Sequence, residues 1–268
     1  MPGSYCPLSW YIEGVTGTTH WDETSKEKPD YREFQEQMTD EVAAACEGAL
    51  NAGAVEILVK DAHDTARNII ASKLPEQARL IRGWSDHPLF MVEHLDETFD
   101  AVVMIGYHCP GGLDANPLAH TMSGQIESIR INGAPASEFL IHAYAAGMLG
   151  VPVVFVSGDD GLCRHVNSFN EAIQTVAVKQ GIGGSTISIH PKVAIRQIKT
   201  GVESALKADR ASYKIQLPKQ FHVEVSFKKH EKAYKASHYP GVSLSSAHTV
   251  SFENHDYFEV LRTLTFIL

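Results

Sequence analysis

The sequence predicts an α/β fold, in which a mostly parallel sheet is covered by flanking helices and is followed by a smaller α+β domain. Two observations lead to this prediction. Over the first two-thirds of the 268 residues, short apolar runs alternate with segments whose apolar residues recur at helical spacing. One of these runs, "VPVVFVSGDD" at residues 151–160, is almost continuously apolar, which is typical of a strand buried on both faces of a parallel sheet.

Each element of this first part has its own local signal. The strand-like runs are rich in β-branched and aliphatic residues, and the helical segments place apolar residues three or four positions apart. The helix that begins at Asp30 is expected to end at residues 51–53, where Asn and Gly supply a stop signal. The predicted strands are residues 9–14, 54–63, 99–108 and 151–160, and the predicted helices are residues 30–53 and 136–149.

After about Ser185 the alternation weakens. Residues 191–208 read as an amphipathic helix, residues 221–228 as a strand with strict period-two alternation, and residues 249–268 as a short strand followed by a helix. We therefore predict an α/β domain over residues 1–208 and a smaller α+β domain over residues 209–268; the metal-binding and catalytic role of the first domain is argued from its residues below. The sequence leaves open whether the smaller domain also includes an internal segment of the chain.

Composition limits the classes of partner. With 23 Lys and Arg against 32 Asp and Glu, the formal charge is −9 and no basic block occurs, so neither nucleic acid nor an anionic membrane surface is an expected partner. The first ten residues lack a basic segment followed by an apolar one, so no secretory signal is expected. The four cysteines form no C-x-x-C pair and are expected to be reduced thiols in a cytoplasmic protein.

Four predicted strands finish with a carboxylate, an imidazole or both. In open α/β sheets, ligands bind outside the carboxyl ends of the strands, so these side chains are expected to converge. Histidine, glutamate and aspartate together form the ligand set of zinc or a similar divalent ion. The residues at the four strand ends are Glu13, Asp61, His63, His108, Asp159 and Asp160.

Each of these residues also has an ordinary structural interpretation. Loops are polar, so a polar residue after a strand is expected in any case. Asp61 and Asp159 could cap following helices, and a single His63 or His108 would more often be a hydrogen-bonded core histidine. It is the repetition of the same placement at four strands that favours a metal site.

Two further segments carry candidate residues. "NPLAHTM" places His120 in a Gly/Pro-rich region after His108. Glu138 begins a predicted helix, where a glutamate is the ordinary choice for the helix dipole but could also point back across the strand ends. His142, one turn further, could share that face, although an interior histidine is the preferred interpretation.

Seven short motifs occur in an order and with gaps that match a known family: "IEGVTG", "VKDAH", "GYH", "AHTM", "INGAPASE", "VSGDD" and "AVKQ". In these motifs the chain resembles the bacterial D-aminopeptidase family, also called the dipeptide transport protein family of zinc peptidases. The resemblance implies an α/β metal domain, a second α+β domain and a ring-shaped homo-oligomer. It also implies release of N-terminal D-amino acids from short peptides with two zinc ions.

The resemblance assigns roles by position. It implies that Glu13 and His108 bind one zinc ion, and that His63 and Glu138 bind the second. His120 matches the histidine proposed as the nucleophile or general base. The motif positions with supporting roles are Asp61, which could orient His63 or His108, together with Asp159 and Asp160.

One position departs from the family. The family's opening motif is Asp-x-Glu-Gly, whose aspartate bridges both metals, whereas this chain has Tyr11 at that position and keeps Glu13. A phenol has one oxygen and an ordinary pKa of about 10, so it does not replace a bridging carboxylate. The number of ions, one or two, is therefore open, and Tyr11 becomes a supporting residue rather than a ligand.

The preferred functional hypothesis is a metal-dependent amide hydrolase that acts on a small peptide or small amide. Zinc would activate a water, and His120 would move protons between that water and the leaving amine. The alternatives are a mononuclear-metal amidase or cyclic-amide hydrolase acting on a non-peptide compound, and a catalytically inactive homologue that binds a small ligand. No G-x-G-x-x-G follows a strand, and neither a Walker motif nor a G-x-S-x-G elbow is present.

Overall fold

The computed structural model describes residues 4–268. The first three residues lie outside this range, and the prediction that no secretory signal is present falls partly on them. Within the described part, no helix has the length and apolar character needed to cross a membrane. Cys6, Cys46, Cys109 and Cys163 are all free and buried.

Twelve strands occur within residues 4–268. In chain order they are β1 (Ser4–Trp10), β2 (Ala54–Asp61), β3 (Ala78–Ile81), β4 (Val102–Tyr107), β5 (Ile126–Ile131), β6 (Ala134–Pro135), β7 (Val153–Asp159), β8 (Gln174–Ile182), β9 (Ser185–Ser188), β10 (Phe221–Phe227), β11 (Ser243–Leu244) and β12 (Thr249–Asn254). The six α-helices are α1 (Tyr31–Asn51), α2 (Glu138–Met148), α3 (Asp160–Phe169), α4 (Pro191–Lys207), α5 (His230–Ala236) and α6 (Tyr257–Ile267).

The larger sheet has the strand order β3-β2-β1-β4-β7-β8-β9 and is parallel except for β9. Helices α1 and α4 pack closely, since a Cβ on Gly48 would lie 2.3 Å from the carbonyl oxygen of Lys199. Helices α2 and α3 meet through the rings of Phe139 and Phe169, whose centroids are 5.7 Å apart. A mostly parallel sheet with flanking helices confirms the predicted α/β class.

The strand order reverses between β1 and β4, because the chain runs outward to β2 on one side and to β7 on the other. Trp10 of β1 lies opposite Asp61 of β2 and also opposite Ile105 of β4, so the three strands end at nearly the same level. A crevice for ligands opens at such a switch point, outside the carboxyl ends of the strands. Glu13 and His108 follow the two strands that flank it.

The smaller sheet is antiparallel, with the order β11-β12-β10-β5-β6. Strand β10 alternates buried and half-buried residues, in agreement with the predicted period-two pattern. Tyr257 of α6 packs on Phe221 and donates its hydroxyl to the carbonyl of Ile141 at 2.8 Å, which joins this part to α2. Strands β5 and β6 precede residue 209, so the second sheet includes an internal segment; the division into two domains itself remains a prediction.

Strand β1 ends at Trp10, earlier than the predicted residue 14. The chain then turns closely over β4, where the amide of Gly14 donates to the carbonyl of Gly106 at 2.8 Å. A Cβ on Gly14 would lie 1.8 Å from the carbonyl oxygen of Tyr107, so only glycine fits this approach. Glu13 is therefore held in a turn rather than in a strand.

Candidate active site

The turn after β1 brings Glu13 into contact with the segment that follows β2. The carboxylate oxygen Oε1 of Glu13 lies 3.0 Å from Nδ1 of His63, and both side chains are buried. The parallel pairing of β1 with β2 explains this contact, because it brings the two strand ends side by side.

A second group forms beside it. Glu138 begins α2, and its Oε2 lies 3.5 Å from Nε2 of His108, the residue that follows β4. Its Oε1 accepts a hydrogen bond from the amide of Met122 at 2.6 Å and lies 3.8 Å from Nε2 of His120. The rings of His108 and His120 stack with centroids 4.4 Å apart. His108, His120 and Glu138 offer three ligand atoms that all lie within 4.8 Å of one another.

Backbone carbonyl groups determine which nitrogen of each imidazole carries the proton. The partners are the carbonyl of Thr24 for Nε2 of His63 at 2.8 Å, that of Cys109 for Nδ1 of His108 at 3.0 Å, and that of Leu118 for Nδ1 of His120 at 2.9 Å. Since a carbonyl only accepts, each of these nitrogens donates, and the opposite nitrogen of each ring faces a carboxylate. That opposite nitrogen can carry a second proton toward the carboxylate or, in the neutral ring, give its lone pair to a metal ion, which is the arrangement of metal-binding histidines.

Burial and ion pairing oppose each other in this site. Burial raises the pKa of Glu13, but His63 outweighs it and holds the pKa of this carboxyl well below its usual range. Burial lowers the pKa of His108, and Glu138 outweighs this and raises it to about 9. The carboxylates of Glu13 and Glu138 are thus stabilised in their charged form by the positive charge of the neighbouring histidines, and a divalent cation would supply the same stabilisation.

Several polar atoms around this point are buried without a hydrogen-bond partner within residues 4–268. They are Oη of Tyr11, Oε2 of Glu13, Nε2 of His108 and Oε2 of Glu138. Nε2 of His108 and Oε2 of Glu138 face each other in the 3.5 Å ion pair described above, which is longer than an ordinary hydrogen bond. A buried polar group without a hydrogen bond costs about 1–3 kcal/mol, so these atoms together favour a bound group that they share. Three of the four belong to carboxylates and an imidazole, which are suitable donors for a metal ion.

Asp61 shapes the loop that carries His63. Its carboxylate accepts from the amides of Asn68 at 2.5 Å and Ile69 at 2.9 Å, and from Nδ2 of Asn68 at 2.9 Å. The same Nδ2 lies 2.6 Å from the carbonyl of His63. The imidazole of His63 itself is oriented by the Thr24 carbonyl, so Asp61 acts on the backbone and caps no helix.

Asp159 and Asp160 are neighbours with different surroundings. Asp159 caps α3 by accepting from the amide of Leu162 at 2.8 Å, and its other oxygen accepts from the amide of Cys109 at 2.8 Å, next to His108. Asp160 is half-buried and pairs with Arg164 one turn along α3. The contacts of Asp160 lie on that helix rather than with the buried carboxylates and imidazoles.

His142 is buried and has the contacts of an interior histidine. Its Nδ1 bonds to the carbonyl of Glu138 at 2.6 Å. Burial lowers the pKa of His142 to about 4, so the ring is neutral at ordinary pH. It thus packs behind Glu138 in α2.

Two residues that the sequence analysis did not select hold the Glu13 turn. Lys179 is buried and donates its ammonium to the carbonyl of Glu13 at 2.5 Å and to that of Thr18. Asn116 donates Nδ2 to the same Glu13 carbonyl at 3.0 Å and to Asp159 at 3.0 Å. Lys179 lies in the "AVKQ" motif, so the motif contained a signal, but nothing local pointed to its partner 166 residues away.

A cavity of about 660 Å³ opens onto part of this site. Tyr11, Glu13, His63 and His120 line the cavity, whereas His108 and Glu138 are not among its lining residues, so a small molecule reaches the site from the side of His120. Volumes of this size are typical of small-molecule sites.

The contacts group the four expected ligands differently from the resemblance. The resemblance implied one pair of Glu13 with His108 and another of His63 with Glu138. The structure brings Glu13 to His63 and His108 to Glu138, because β1 lies beside β2 and α2 begins beside the end of β4.

Comparison with known proteins identifies the family. The model of the peptidase family M55, described as D-aminopeptidase, matches residues 8–266. A D-aminopeptidase of Bacillus subtilis (strain 168) is 29% identical over 259 residues, which are 96% of this chain and 94% of that protein. The solved structure of the Zn-dependent D-aminopeptidase DppA from Bacillus subtilis, a self-compartmentalizing protease, superposes with a TM-score of 0.91 at 27% identity, covering 98% of this chain and 96% of that one. The predicted resemblance is confirmed: the chain belongs to the D-aminopeptidase family and is an amide hydrolase of the aminopeptidase type.

Proposed function

We propose that this chain hydrolyses the amide bond of a small substrate with a zinc ion held by His108, His120 and Glu138. The observation that carries the proposal is the group of three ligand atoms within 4.8 Å of one another, in which His108 follows the parallel strand β4. The structurally similar Bacillus subtilis enzyme is described as Zn-dependent, and we extend that requirement to this chain.

The spacing of the ligand atoms is compatible with zinc. Zinc binds imidazole nitrogen and carboxylate oxygen at about 2.0–2.1 Å, so neighbouring ligands of a tetrahedral ion are about 3.3 Å apart. The contacts of Glu138 with His108 and His120 are 3.5 Å and 3.8 Å. Three protein ligands leave the fourth position open, as in catalytic zinc sites.

Glu13 and His63 form the second half of the proposed site. A zinc ion in the first half would lower the pKa of a bound water to about 7 and polarise the scissile carbonyl. Glu13 lines the cavity with one oxygen that has no hydrogen bond within residues 4–268, and it pairs with His63 through the other. Because its pKa is low, Glu13 would hold the attacking water as a charged acceptor, and His63, whose pKa Glu13 raises against the effect of burial, would take up the proton. In the reaction the water oxygen bonds to the acyl carbon, the C–N bond breaks, and the proton on His63 passes to the leaving nitrogen.

This proposal changes the role of His120. The resemblance implied that His120 moves protons, whereas its position beside His108 and Glu138 favours a ligand. The proposed site holds no second tightly bound ion. Glu13 and His63 supply only two ligands for such an ion, and Tyr11 adds no charge.

We also propose that the chain assembles into a homo-oligomer. The support is the Bacillus subtilis relative, which is described as self-compartmentalizing and has the same fold over 98% of this chain. Light scattering of the purified protein tests this part. A cytoplasmic location remains an expectation from the sequence.

Zinc content and turnover test the proposal together. Elemental analysis of the gel-filtered protein is expected to give about one zinc per chain, and D- or L-alaninamide is expected to be hydrolysed. His108→Ala and His120→Ala are each expected to lose zinc and activity, since two remaining ligands bind zinc weakly. Glu76→Gln, an exposed carboxylate outside the site, is the matched control.

Two results would contradict parts of this assignment. A His120→Ala variant with full zinc content and no turnover would show that His120 transfers protons and is not a zinc ligand. If the purified protein held neither zinc nor another divalent ion and gained no activity when ions were added, the hydrolase hypothesis would be excluded. The alternative of an inactive homologue that binds a small ligand would then remain.

A further inference from the structure

The hydroxyl of Tyr11 is a buried donor without an acceptor. The side chain is 3% exposed, and its Oη makes no hydrogen bond within residues 4–268. Such an atom is unusual, because a buried hydroxyl gives up its contacts with water and is normally compensated by a hydrogen bond inside the protein. Tyr11 also lines the cavity, so this hydroxyl is placed to meet a ligand.

The phenol ring is held in a fixed position. It packs edge-on against the rings of Tyr107 and His108, and the amide of Tyr11 donates to the carbonyl of Ile105 at 2.9 Å. Tyr107 is itself fixed, since its hydroxyl shares a hydrogen bond with Oγ of Ser9 at 2.7 Å. A donor that is already in place needs no rearrangement during a reaction, which is the property of groups that stabilise transition states.

Two carboxylates locate this hydroxyl between the halves of the site. Glu138 and Glu13 are the carboxylates that act electrostatically on the phenol, and Glu138 has the larger effect. Glu138 belongs to the proposed zinc group, and Glu13 belongs to the pair that holds the attacking water. The scissile carbonyl must lie between the ion and that water, which is the region that the Tyr11 hydroxyl borders.

Glu138 is the competing acceptor for this hydroxyl. Its Oε1 already accepts from the amide of Met122, and its Oε2 faces Nε2 of His108. When this carboxylate binds zinc, its charge is balanced by the ion. A substrate oxygen that acquires a full negative charge is then the stronger acceptor, because hydrogen bonds to a charged oxygen are about twice as strong as those between neutral groups.

Amide hydrolysis requires donors in this region. The addition of water turns the carbonyl oxygen of the amide into an oxyanion, and a single zinc ion supplies only one positive partner for it. An ionised aspartate, which the resembled family has at this position, only accepts hydrogen bonds, whereas a protonated phenol donates one. The exchange of aspartate for Tyr11 therefore replaces a metal ligand by a donor.

We propose that Tyr11 is a catalytic residue whose hydroxyl donates a hydrogen bond to the carbonyl oxygen of the scissile amide and to the oxyanion that this oxygen becomes. The inference rests on the proposed amide hydrolysis and adds a residue to the same site. As the water oxygen bonds to the acyl carbon, the carbonyl electron pair moves onto its oxygen, and Tyr11 keeps its proton. That pair forms the C=O bond again when the C–N bond breaks, and the leaving nitrogen receives the proton that His63 took from the water.

Tyr11→Phe removes the donor and keeps the ring. We expect kcat for the faster of D- and L-alaninamide to fall about 100-fold, because the hydrogen bond is strongest in the transition state. KM should stay within about threefold of the wild-type value, since little ground-state binding is lost. The zinc content, measured by elemental analysis, should be unchanged.

Tyr107→Phe is the matched control. Its hydroxyl is hydrogen-bonded to Ser9, and Tyr107 is not among the cavity-lining residues of the described chain. This variant should therefore keep the wild-type kcat and lower Tm by about 2–4 °C, the effect of one lost hydrogen bond. Tyr11→Phe should show the opposite pattern, with a large loss of kcat and no decrease in Tm, because its hydroxyl has no hydrogen bond to lose.

Binding of a tetrahedral analogue gives a readout that is independent of turnover. The phosphonate 1-aminoethylphosphonate presents charged oxygens on a tetrahedral centre, as the hydrated amide of alanine does. Isothermal titration calorimetry of the zinc-loaded proteins is expected to show about tenfold weaker binding by Tyr11→Phe than by the wild type. Tyr107→Phe should bind the phosphonate as the wild type does.

The possible failures are distinguishable. A Tyr11→Phe variant with wild-type kcat and wild-type affinity for the phosphonate would overturn the role of Tyr11 and leave the hydrolase in place. Loss of zinc from Tyr11→Phe would also overturn it, because the hydroxyl would then support the ion rather than the oxyanion. No hydrolysis of either alaninamide by the zinc-loaded wild-type protein would overturn the proposed function, and the inference with it.

Discussion

Tyr11 places a neutral phenol where the resembled family has a bridging aspartate. Its ring packs edge-on against Tyr107 and His108, with centroids 4.9 Å and 5.7 Å away. Burial and the nearby carboxylate of Glu138 raise the pKa of Tyr11 well above its usual value, so the hydroxyl stays protonated. The charge of one zinc ion is then balanced by Glu13 and Glu138. A second ion would leave two uncompensated positive charges in a buried site, which is costly.

The residue-scale prediction follows from this charge balance. Tyr11→Asp restores a third carboxylate, and we expect zinc per chain to rise from about one to about two. Tyr11→Phe, which removes only the hydroxyl, should keep the wild-type zinc content and serves as the control. The readout is elemental analysis after equilibration with excess zinc and removal of loosely bound ions. An Asp variant that still binds a single ion would show that Tyr11 does not limit the stoichiometry.

At the scale of elements, a buried ion pair fixes one wall of the cavity to the sheet. Lys60 of β2 pairs with Glu93 at 2.7 Å, and both side chains are at most 4% exposed. Lys60 also donates to the carbonyl of Gly83 at 2.5 Å and lies over the ring of Trp84. The pair therefore connects the central sheet to the segment that carries Trp84 and Asp86.

Breaking this pair should be more harmful than replacing it. Glu93→Gln leaves a buried ammonium without its counter-charge, and we expect a loss of about 3 kcal/mol in the free energy of unfolding. Lys60→Met/Glu93→Leu removes both charges and should cost less. Urea denaturation of the two variants measures the difference, and a double variant less stable than Glu93→Gln would contradict the argument.

The same pair gives a pH dependence of known sign. Burial raises the pKa of Glu93, but hydrogen bonds from Lys60 and Ser85 outweigh it and lower the pKa. The contribution of a carboxyl with a lowered folded pKa is present above the unfolded value of about 4.3 and is lost as the pH falls through the folded value. The stability gap between wild type and Glu93→Gln should therefore narrow below about pH 4.

The elements also show what the sequence could and could not predict. Strands β1, β2, β4 and β7 and helices α1, α2, α4 and α6 have local signals, since periodicity and stop residues lie within each segment, whereas β3 and β8 of the same sheet were not predicted. Strand β5 was missed because its partner β10 lies about 90 residues further along the chain. The early end of β1 was missed because it depends on the carbonyl groups of Gly106 and Tyr107, which no pattern around Glu13 reveals.

At the scale of the whole molecule, the fold gathers residues that are far apart in the sequence. Glu13, His63, His108, His120 and Glu138 come from five different segments. The strand-end rule selected the segments of Glu13, His63 and His108, because every parallel strand presents its end at the same edge, whereas His120 and Glu138 were selected from a loop and a helix start. The rule could not give the contacts between them, since those depend on the strand order β3-β2-β1-β4-β7, which local periodicity does not contain.

A metal ion bound to these segments should stabilise the whole chain. His108 follows β4, His120 lies in the loop before β5 of the second sheet, and Glu138 begins α2, so one ion would tie three segments together. A ligand that binds only the folded state at 1,000 times its dissociation constant stabilises it by about 4 kcal/mol.

Thermal unfolding with and without a chelator measures this effect. At about 2–4 °C per kcal/mol for a chain of this size class, removal of zinc is expected to lower Tm by about 8–16 °C, and added zinc should restore it. His108→Ala, which lacks a ligand, should have a low Tm that responds little to chelator or zinc, whereas Glu76→Gln should respond like the wild type. An unchanged Tm in the chelated wild-type protein would mean that no ion ties these segments together, because a bound ion that prefers the folded state must stabilise it by mass action.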